Sequence, residues 1–455
     1  TPARSADDFF FIQITDVHAY PEAADFGALP GLIPGWIPDR MAAWATLRAM
    51  QKAYAPRTRD DIVAVLRDAL GPERDVARAR PTTVFLRYFD AFLEPGSALG
   101  RVGPAVRGAL AEVASLAPSF VISTGDLVLE GNQGEPEAID RWFRFYRDET
   151  RALGIPFYET IGNNEIAGDR NDAFAPDDPR YGKYFFEKYH GPTHFSFDRG
   201  PFHFAALDTH RPEPRAGEPK RWVYERMESA VRDWLDADLA AHPDRVLVVL
   251  NHEPFHIDPS WTERIGDDAE PADDEGLLAR HRVAYAIAGH VHWNGFEERD
   301  GTTHITTGAL SGFRWALPAE LHPRGYRLFY AKDGRLYSAW KEIGKPVVGF
   351  VDPVGRERSP LFPGSKAPAA AERLTAPVDV VAVAADADGA FAAGSLTLDG
   401  EPLEVEPWGR YFLHARLDAA DLGSGERILA LTAKSADGRV YRATLALRVA
   451  PGAAE

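Results

Sequence analysis

The chain has 455 residues, which is too long for one ordinary core and predicts two domains. Of these residues 45% are apolar and 26% are charged, a composition typical of a soluble globular protein. The formal charge of −17 argues against a nucleic acid polymer or an anionic membrane as the main partner. An anionic substrate would need local positive charge, and bound metal ions are the obvious source. Because there is no cysteine, metal ligands must come from His, Asp, Glu and Asn, which suit Zn, Mn, Fe or Mg.

No stretch approaches the ~20 consecutive apolar residues that a membrane-spanning helix needs. The chain begins at Thr1 without an initiator methionine. Removal of a signal peptide and cleavage of a purification tag both explain this start. We favour export to an extracytoplasmic location, periplasmic or secreted, and a cytoplasmic location is the alternative.

An apolar run that ends in polar, ligand-type residues recurs five times along the chain, at Asp8–Asp16, Ser119–Asp126, Pro156–Glu165, Arg245–Pro254 and Arg282–His292. Helical patterns lie between these runs. For example, the pattern of Trp222–Ala241 places five apolar residues on one helical face, namely Met227, Val231, Trp234, Leu235 and Leu239. Strands that alternate with helices and end in polar residues predict an α/β layered fold with its site at the strand ends.

Two sections depart from this alternation. Residues 20–100 are predicted to be a mostly helical insertion that caps the site, with a complete helix at Thr58–Gly71. The insertion begins with Gly27–Pro38, which carries Trp36 and Ile37. This segment is either a loop packed on its own domain or an apolar lip over the active site.

The C-terminal section has a different pattern. Residues 346–375 are rich in Pro, Gly and Ala and are predicted to be a linker. From residue 376 onward, short β-like runs alternate with turns, and Asp-Gly pairs supply hairpin turns. We therefore expect a first domain at 1–345 and a small immunoglobulin-like β-sandwich of about seven strands at 376–455.

The polar residues at the strand ends form one candidate site. In chain order the groups are Asp16-x-His18, Gly125-Asp126, Gly162-Asn163-Asn164-Glu165, Asn251-His252 and Gly289-His290-Val291-His292. Two divalent ions ~3.5–4 Å apart need a shared carboxylate and several oxygen and imidazole ligands. Residues i and i+2 of an extended segment share a face, which would let both side chains of D-x-H and of H-x-H point at the same site. The glycines permit tight turns and close backbone approach.

This set resembles the signature of the calcineurin-like metallophosphoesterase family, namely D-x-H, G-D, G-N-H-[E/D], a lone His and G-H-x-H. The resemblance covers roughly residues 8–340, including His203–Thr209 and Thr302–Gly308, but neither the insertion nor the C-terminal module. It implies a four-layer α/β/β/α sandwich and a dinuclear, metal-dependent hydrolysis of phosphoesters. A hydroxide held between the metals would attack phosphorus.

Carried over residue by residue, the resemblance also implies a ligand set for two divalent or trivalent ions, with Fe, Mn or Zn expected. One ion would be bound by Asp16, His18, Asp126 and His292. The other would be bound by Asp126, Asn163, His252 and His290, so that Asp126 bridges the two.

The sequence departs from the family pattern at Asn164, where the family usually has a histidine that protonates the leaving group. Asparagine can donate a hydrogen bond but cannot supply a proton. Three explanations are open: a deliberate His-to-Asn substitution that slows turnover, a branch of the family that dispenses with the histidine, or another imidazole, such as His210 or His256, in its place. We favour the first.

The expected substrate is a small-molecule phosphoester, with diesters favoured. The alternatives are a phosphomonoesterase or nucleotidase, and a binding protein that keeps its metals but has lost turnover. We predict no functional site at the other polar residues. Asp258–Glu275 is interpreted as a solvated acidic loop. His194 and His203 are interpreted as sheet histidines.

Overall fold

The structure is a computed structural model, and it describes residues 7–21, 102–129, 131–132, 134–169, 174–175, 178–213, 221–223, 227–255, 274–312, 323–352, 378–386, 389–391, 393–418 and 425–449. The described part of the predicted insertion ends at Pro21. Its helix at Thr58–Gly71 and the segment Gly27–Pro38 lie outside the described residues.

The described residues form five α-helices: α1 Val102–Ser115, α2 Pro136–Ala152, α3 Tyr184–His190, α4 Ser229–Ala241 and α5 Asp274–His281. They also form strands β1 Phe9–Ile14, β2 Val121–Thr124, β3 Phe157–Thr160, β4 Phe195–Arg199, β5 Phe202–Ala206, β6 Arg211–Glu213, β7 Arg221–Val223, β8 Val246–Leu250, β9 Tyr285–Ala288, β10 Gly295–Arg299 and β11 Thr302–Thr306. The remaining strands are β12 Gly325–Lys332, β13 Arg335–Glu342, β14 Val347–Asp352, β15 Val378–Asp386, β16 Gly389–Ala390, β17 Ala393–Leu398, β18 Glu401–Pro402, β19 Glu406–Trp408, β20 Phe412–Leu417, β21 Gly425–Lys434 and β22 Val440–Val449.

Two mixed sheets make up the first domain. The strand order is β13-β12-β1-β2-β3 in one and β10-β11-β9-β8-β5-β4 in the other. Strands β1, β2 and β3 are parallel neighbours, as are β5, β8, β9 and β11. The carboxyl ends of each parallel set therefore lie along one edge of their sheet.

The two sheets pack face to face through an aromatic core. The Phe11 ring stacks on Phe120 at 4.8 Å and on Phe329 at 4.7 Å, and it meets the edge of Phe204 from the second sheet at 5.8 Å. The apolar run that begins β1 is buried because it is covered on both faces, as is usual for parallel strands.

Helices cover the outer faces of both sheets. Helices α1, α2 and α3 pack on the first sheet, and α4 and α5 pack on the second. This confirms the predicted α/β/β/α sandwich. The helix predicted at Trp222–Ala241 begins only at Ser229, since Trp222 pairs with Pro212 in the small β6-β7 sheet. Val231, Leu235 and Leu239 form its buried face, as predicted. The other two predicted members differ, because Met227 precedes the helix and Trp234 is only partly buried. Within the described residues, no helix is both long and apolar enough to cross a membrane.

The C-terminal section forms two antiparallel sheets around a core of their own, which agrees with the predicted all-β sandwich. The predicted linker at 346–375 is wrong at its start, because Val347–Asp352 is strand β14 and pairs with β15. The alternation of apolar and small residues there satisfies a strand as well as a loop, and only the pairing with β15 distinguishes the two.

The sandwich also packs on the first domain. Trp408 lies against Tyr330 and Tyr337, with ring centroids 6.2 and 5.1 Å away. The Tyr411 hydroxyl donates to the carbonyl oxygen of Leu116, at 2.7 Å, at the end of α1. One buried apolar cluster therefore runs from the first sheet into the sandwich.

We predict that Trp408→Ala destabilises the protein by about 3–5 kcal/mol, because it removes a large buried ring from this shared cluster. In urea, the two domains of this variant should then unfold in two separate transitions. Ile428→Ala is the control, since that side chain is 40% exposed in the same sandwich. A single transition with an unchanged midpoint in Trp408→Ala would contradict a coupling role for this contact.

Candidate metal centre

The seven predicted ligands come directly after the ends of three parallel strands of the first sheet and two parallel strands of the second. Asp16 and His18 follow β1, Asp126 follows β2 and Asn163 follows β3; His252, His290 and His292 follow β8 and β9 in the second sheet. Backbone hydrogen bonds tie these loops together, from Asp16 N to Gly125 O at 3.1 Å and from Gly289 N to His252 O at 3.0 Å.

The ligand loops have left-handed backbone conformations. Ten non-glycine residues in the described part of the chain have positive φ, and five of them are Asp16, His18, Asp126, His290 and His292. The extended geometry assumed for D-x-H and H-x-H is therefore wrong, because the strands end before the ligands begin. Left-handed turns, which cost ~1–3 kcal/mol each for residues other than glycine, bring these side chains together instead.

Two glycines allow the loops to approach this closely. Gly125 has φ of 82°, and a Cβ there would overlap the His252 ring. A Cβ at Gly289 would overlap the Thr15 hydroxyl oxygen. Both positions therefore exclude any side chain, as the sequence analysis predicted.

The first group of ligand atoms comprises Asp16, His18 and His292. His292 Nε2 lies 3.1 Å from Asp16 Oδ1 and 3.3 Å from His18 Nε2. His292 Nδ1 lies 2.9 Å from the Gly312 carbonyl oxygen, so Nδ1–H donates there and leaves Nε2 as the ligand atom. These three residues could hold one metal ion.

The second group comprises Asn163, His252 and His290. Asn163 Oδ1 lies 3.2 Å from His252 Nε2 and 3.1 Å from His290 Nδ1. His252 Nδ1 lies 2.7 Å from the Thr124 carbonyl oxygen, which again leaves Nε2 to face the other ligands.

Asp126 lies between the two groups and presents one oxygen to each. Its Oδ1 is 3.2 Å from His252 Nε2, and its Oδ2 is 3.8 Å from His18 Nε2. This is the arrangement that a carboxylate shared by two ions requires.

Both carboxylates are buried and ionised. Burial raises the pKa of Asp126, but His252 and His18 outweigh it and hold the pKa well below the ordinary value of 3.8. Burial likewise raises the pKa of Asp16, and His292 outweighs it, so that the pKa falls to about 2.

The donor set fits a pair of metal ions. Among the described residues, the buried carboxylate oxygen Asp16 Oδ1 meets only the His292 ring nitrogen, 3.1 Å away, which is itself a predicted metal ligand. An unsatisfied anionic oxygen is costly in a protein interior, and a cation among these ligands would satisfy it. Carboxylate, amide oxygen and imidazole together suit divalent ions.

The sequence model of the calcineurin-like phosphoesterase family matches residues 11–294, which is more than half of the chain and a range that contains all seven predicted ligands. The chain belongs to the calcineurin-like phosphoesterase family. By family it is therefore a metallophosphoesterase. No curated protein matches the chain.

Several solved structures are similar to this metallophosphoesterase at low identity. Purple acid phosphatase PPD1 from yellow lupin (Lupinus luteus) seeds is 16% identical, with a TM-score of 0.37, over 52% of this chain and 47% of that one. A putative 5'-nucleotidase from Staphylococcus aureus is 14% identical, with a TM-score of 0.35, over 74% and 53%. GAP50, the anchor in the inner membrane complex of Plasmodium, is 12% identical, with a TM-score of 0.35, over 74% and 84%. The chain thus spans less than half of the lupin protein, and likeness of this size identifies no substrate.

Glu165 stabilises the loops that carry the candidate metal ligands of this metallophosphoesterase. It accepts hydrogen bonds from the backbone N–H groups of Gly162, Asp126, Leu127 and Val128, at 2.8, 2.9, 2.9 and 3.1 Å. Burial and the Asp126 carboxylate raise its pKa to about 8. Glu165 therefore joins the loop after β3 to the loop after β2. The sequence placed it in a motif but gave no sign of this role.

A second buried network, centred on Glu253, was missed by the sequence analysis. His210 Nε2 lies 2.8 Å from Glu253 Oε1, and His210 Nδ1 lies 3.3 Å from Asp208 Oδ1. Lys183 completes the network with an ion pair to Asp208 at 2.6 Å. Because both ring nitrogens of His210 face carboxylates, His210 is poorly placed to protonate a leaving group. His256, the other candidate, lies outside the described residues.

Another cluster of histidines and carboxylates lies on the second sheet. His203 in β5 is held between Asp198 and Asp238, at 2.8 Å from each, and its ring stacks on His242 at 3.7 Å. Asp198, His203 and His242 are close enough to hold a cation. However, the His203 and His242 ring planes are only 16° apart. Because the lone pair of an imidazole nitrogen lies in the plane of its ring, the two stacked rings do not direct their lone pairs at one shared point. We interpret His203 as an ion-paired sheet histidine.

We predict that the metallophosphoesterase purified without chelator contains two metal ions per chain by elemental analysis. Asp126→Ala should lose most of both ions, since both groups share this carboxylate, whereas His18→Ala should chiefly weaken one. His203→Gln is the matched control and should keep both. A metal-replete chain with at most one ion would overturn the dinuclear assignment, and a third ion lost in His203→Gln would overturn our interpretation of His203.

We also predict a pH dependence from His210. Burial lowers its pKa, but Glu253 and Asp208 outweigh burial and raise the pKa from 6.5 to about 9. The stabilisation is therefore complete below pH 6.5 and is lost as the pH rises through 9. In chelator-treated protein, the free energy of unfolding by urea should fall across this interval and fall less in His210→Gln. Equal slopes in the two proteins would contradict a charged His210.

Proposed function

We propose that this metallophosphoesterase hydrolyses phosphodiesters with a pair of metal ions held between the His18 and His252 groups. The observation that carries the proposal is the position of Asp126, which presents Oδ1 to His252 and Oδ2 to His18. Asp16, His18, Asp126 and His292 would hold one ion, and Asp126, Asn163, His252 and His290 the other.

Bound ions would supply Lewis acidity and a water molecule of lowered pKa. The chain's own residues supply the frame. His252 and His292 each donate Nδ1–H to a backbone carbonyl, which fixes the direction of Nε2. Asp16 and Asp126 are ionised at neutral pH, so binding the ions requires no proton to leave either carboxylate.

The preference for diesters rests on Asn164. A phosphomonoester carries up to two negative charges on three non-bridging oxygens, whereas a diester carries one charge on two. The resemblance places an imidazole at position 164, where this chain has a neutral amide. The chain therefore lacks at this position the imidazolium charge that would help to bind a dianion, and this lack favours the monoanionic diester.

We predict that the metal-replete protein has a higher kcat/KM for bis(4-nitrophenyl) phosphate than for 4-nitrophenyl phosphate. Both substrates release nitrophenolate, which departs without a proton donor, so a missing general acid slows neither of them in this comparison. The measurement is the release of nitrophenolate at saturating Mn²⁺. Asp126→Ala, prepared in parallel, should be inactive and excludes a contaminating phosphatase.

Other outcomes would select the alternatives. A higher kcat/KM for the monoester would favour a phosphomonoesterase or nucleotidase. Two bound ions without turnover of either ester would favour a binding protein on a metallophosphoesterase scaffold.

A further inference from the structure

We propose that Asn164 is a positioning residue, whose amide orients the shared carboxylate of Asp126 and does not face the leaving group. This inference rests on the proposed dinuclear function and deepens it. It assigns the asparagine a role of its own in the metal centre, in place of the proton donor that the family pattern puts at this position.

The same residue holds both oxygens of Asp126. The backbone N–H of Asn164 donates to Asp126 Oδ1 at 2.9 Å, and its side-chain Nδ2 donates to Asp126 Oδ2 at 3.1 Å. Two hydrogen bonds from one residue fix the rotation of the carboxylate about its Cβ–Cγ bond. That rotation decides whether Asp126 presents one oxygen to each ligand group.

The neighbouring asparagines fix the orientation of the Asn164 amide. Asn132 Nδ2 and Asn163 Nδ2 both donate to Asn164 Oδ1, at 3.1 and 3.3 Å. Asn163 is itself fixed, because its Oδ1 faces His252 and His290. A flip of Asn164 would set its Nδ2 against the two asparagine donors and its Oδ1 against the Asp126 carboxylate, so these three contacts favour the orientation in which Nδ2 faces Asp126.

The burial of Asn164 is consistent with this role. Asn164 and Asn132 are both fully buried, and the Asn164 oxygen already accepts two hydrogen bonds. Its Nδ2 faces Asp126 and also lies 3.1 Å from His18 Nδ1. The amide therefore touches ligands of both groups, and its hydrogen-bonding capacity is directed at the protein.

Residues that orient metal ligands typically contribute ~10–100-fold to metal affinity. We therefore expect Asn164→Ala to weaken both ions together by ~10–100-fold, because Asp126 serves both. The measurement is calorimetric titration of chelator-treated protein with Mn²⁺. The electron paramagnetic resonance spectrum of the Mn²⁺-loaded protein should also change, since coupling between two Mn²⁺ ions depends on the bridging carboxylate.

The Asn164→Leu variant distinguishes a role in orienting Asp126 from a role in filling space in the protein interior. Leucine restores most of the lost volume but none of the side-chain hydrogen bonds, and both variants keep the backbone N–H bond to Asp126 Oδ1. Asn164→Leu should therefore lose Mn²⁺ affinity as Asn164→Ala does. A purely structural role would instead lower the free energy of unfolding of the metal-free protein in Asn164→Ala, recover it in Asn164→Leu and leave the Mn²⁺ affinity of the folded chain unchanged. His18→Ala, which should weaken one ion, is the comparison for a single-site effect.

The outcomes distinguish this inference from the proposed function. A parent chain that binds fewer than two Mn²⁺ ions overturns both. A parent chain that binds two ions, with equal affinity in Asn164→Ala, overturns the positioning role alone. So does Asn164→His, if it keeps both affinities and gains turnover of dialkyl phosphodiesters, because that result would make position 164 a proton-donor site.

Discussion

The metal centre depends on one buried carboxylate that must face two groups of ligands at once. Asp126 reaches His252 with Oδ1 and His18 with Oδ2, and it lies at the end of β2, the middle strand of three parallel neighbours. A buried anion needs compensation, and here the His252 and His18 imidazoles and the backbone N–H and side-chain amide of Asn164 provide it. The loops that follow the neighbouring strands are arranged around this requirement.

Meeting that requirement places strain in the ligand loops. Five of the seven ligand residues have left-handed backbone conformations, at a cost of ~1–3 kcal/mol each. Such conformations persist only where the surroundings enforce them. The aromatic core between the sheets holds the strand ends in place, the backbone hydrogen bonds between loops add to this, and Glu165 joins two loops through four N–H groups.

The C-terminal sandwich shares a buried apolar cluster with the first sheet. Trp408 and Tyr411 extend the buried cluster of the first sheet, and Lys341 in β13 is fully buried against Glu112 of α1 near the junction. The sandwich therefore buttresses the face of the first sheet that is turned away from the second. Its strands begin at Val347, directly after β13 and one short turn, so the junction is shorter than the composition of residues 346–375 suggested.

The sequence by itself determined the family and the layer architecture, and it predicted seven candidate ligands that the structure brings together. Both followed from one pattern, because buried parallel strands are apolar runs and the candidate ligands come directly after their ends. It could not determine the backbone of Asp16 and His18, since a D-x-H spacing fits an extended segment as well as a left-handed turn. It also missed the pairing of His210 with Glu253, whose contact joins residues on separate loops. The direction of the Asn164 amide was decided only in the tertiary structure, because it depends on Asn132, Asn163 and Asp126, which no local pattern brings together.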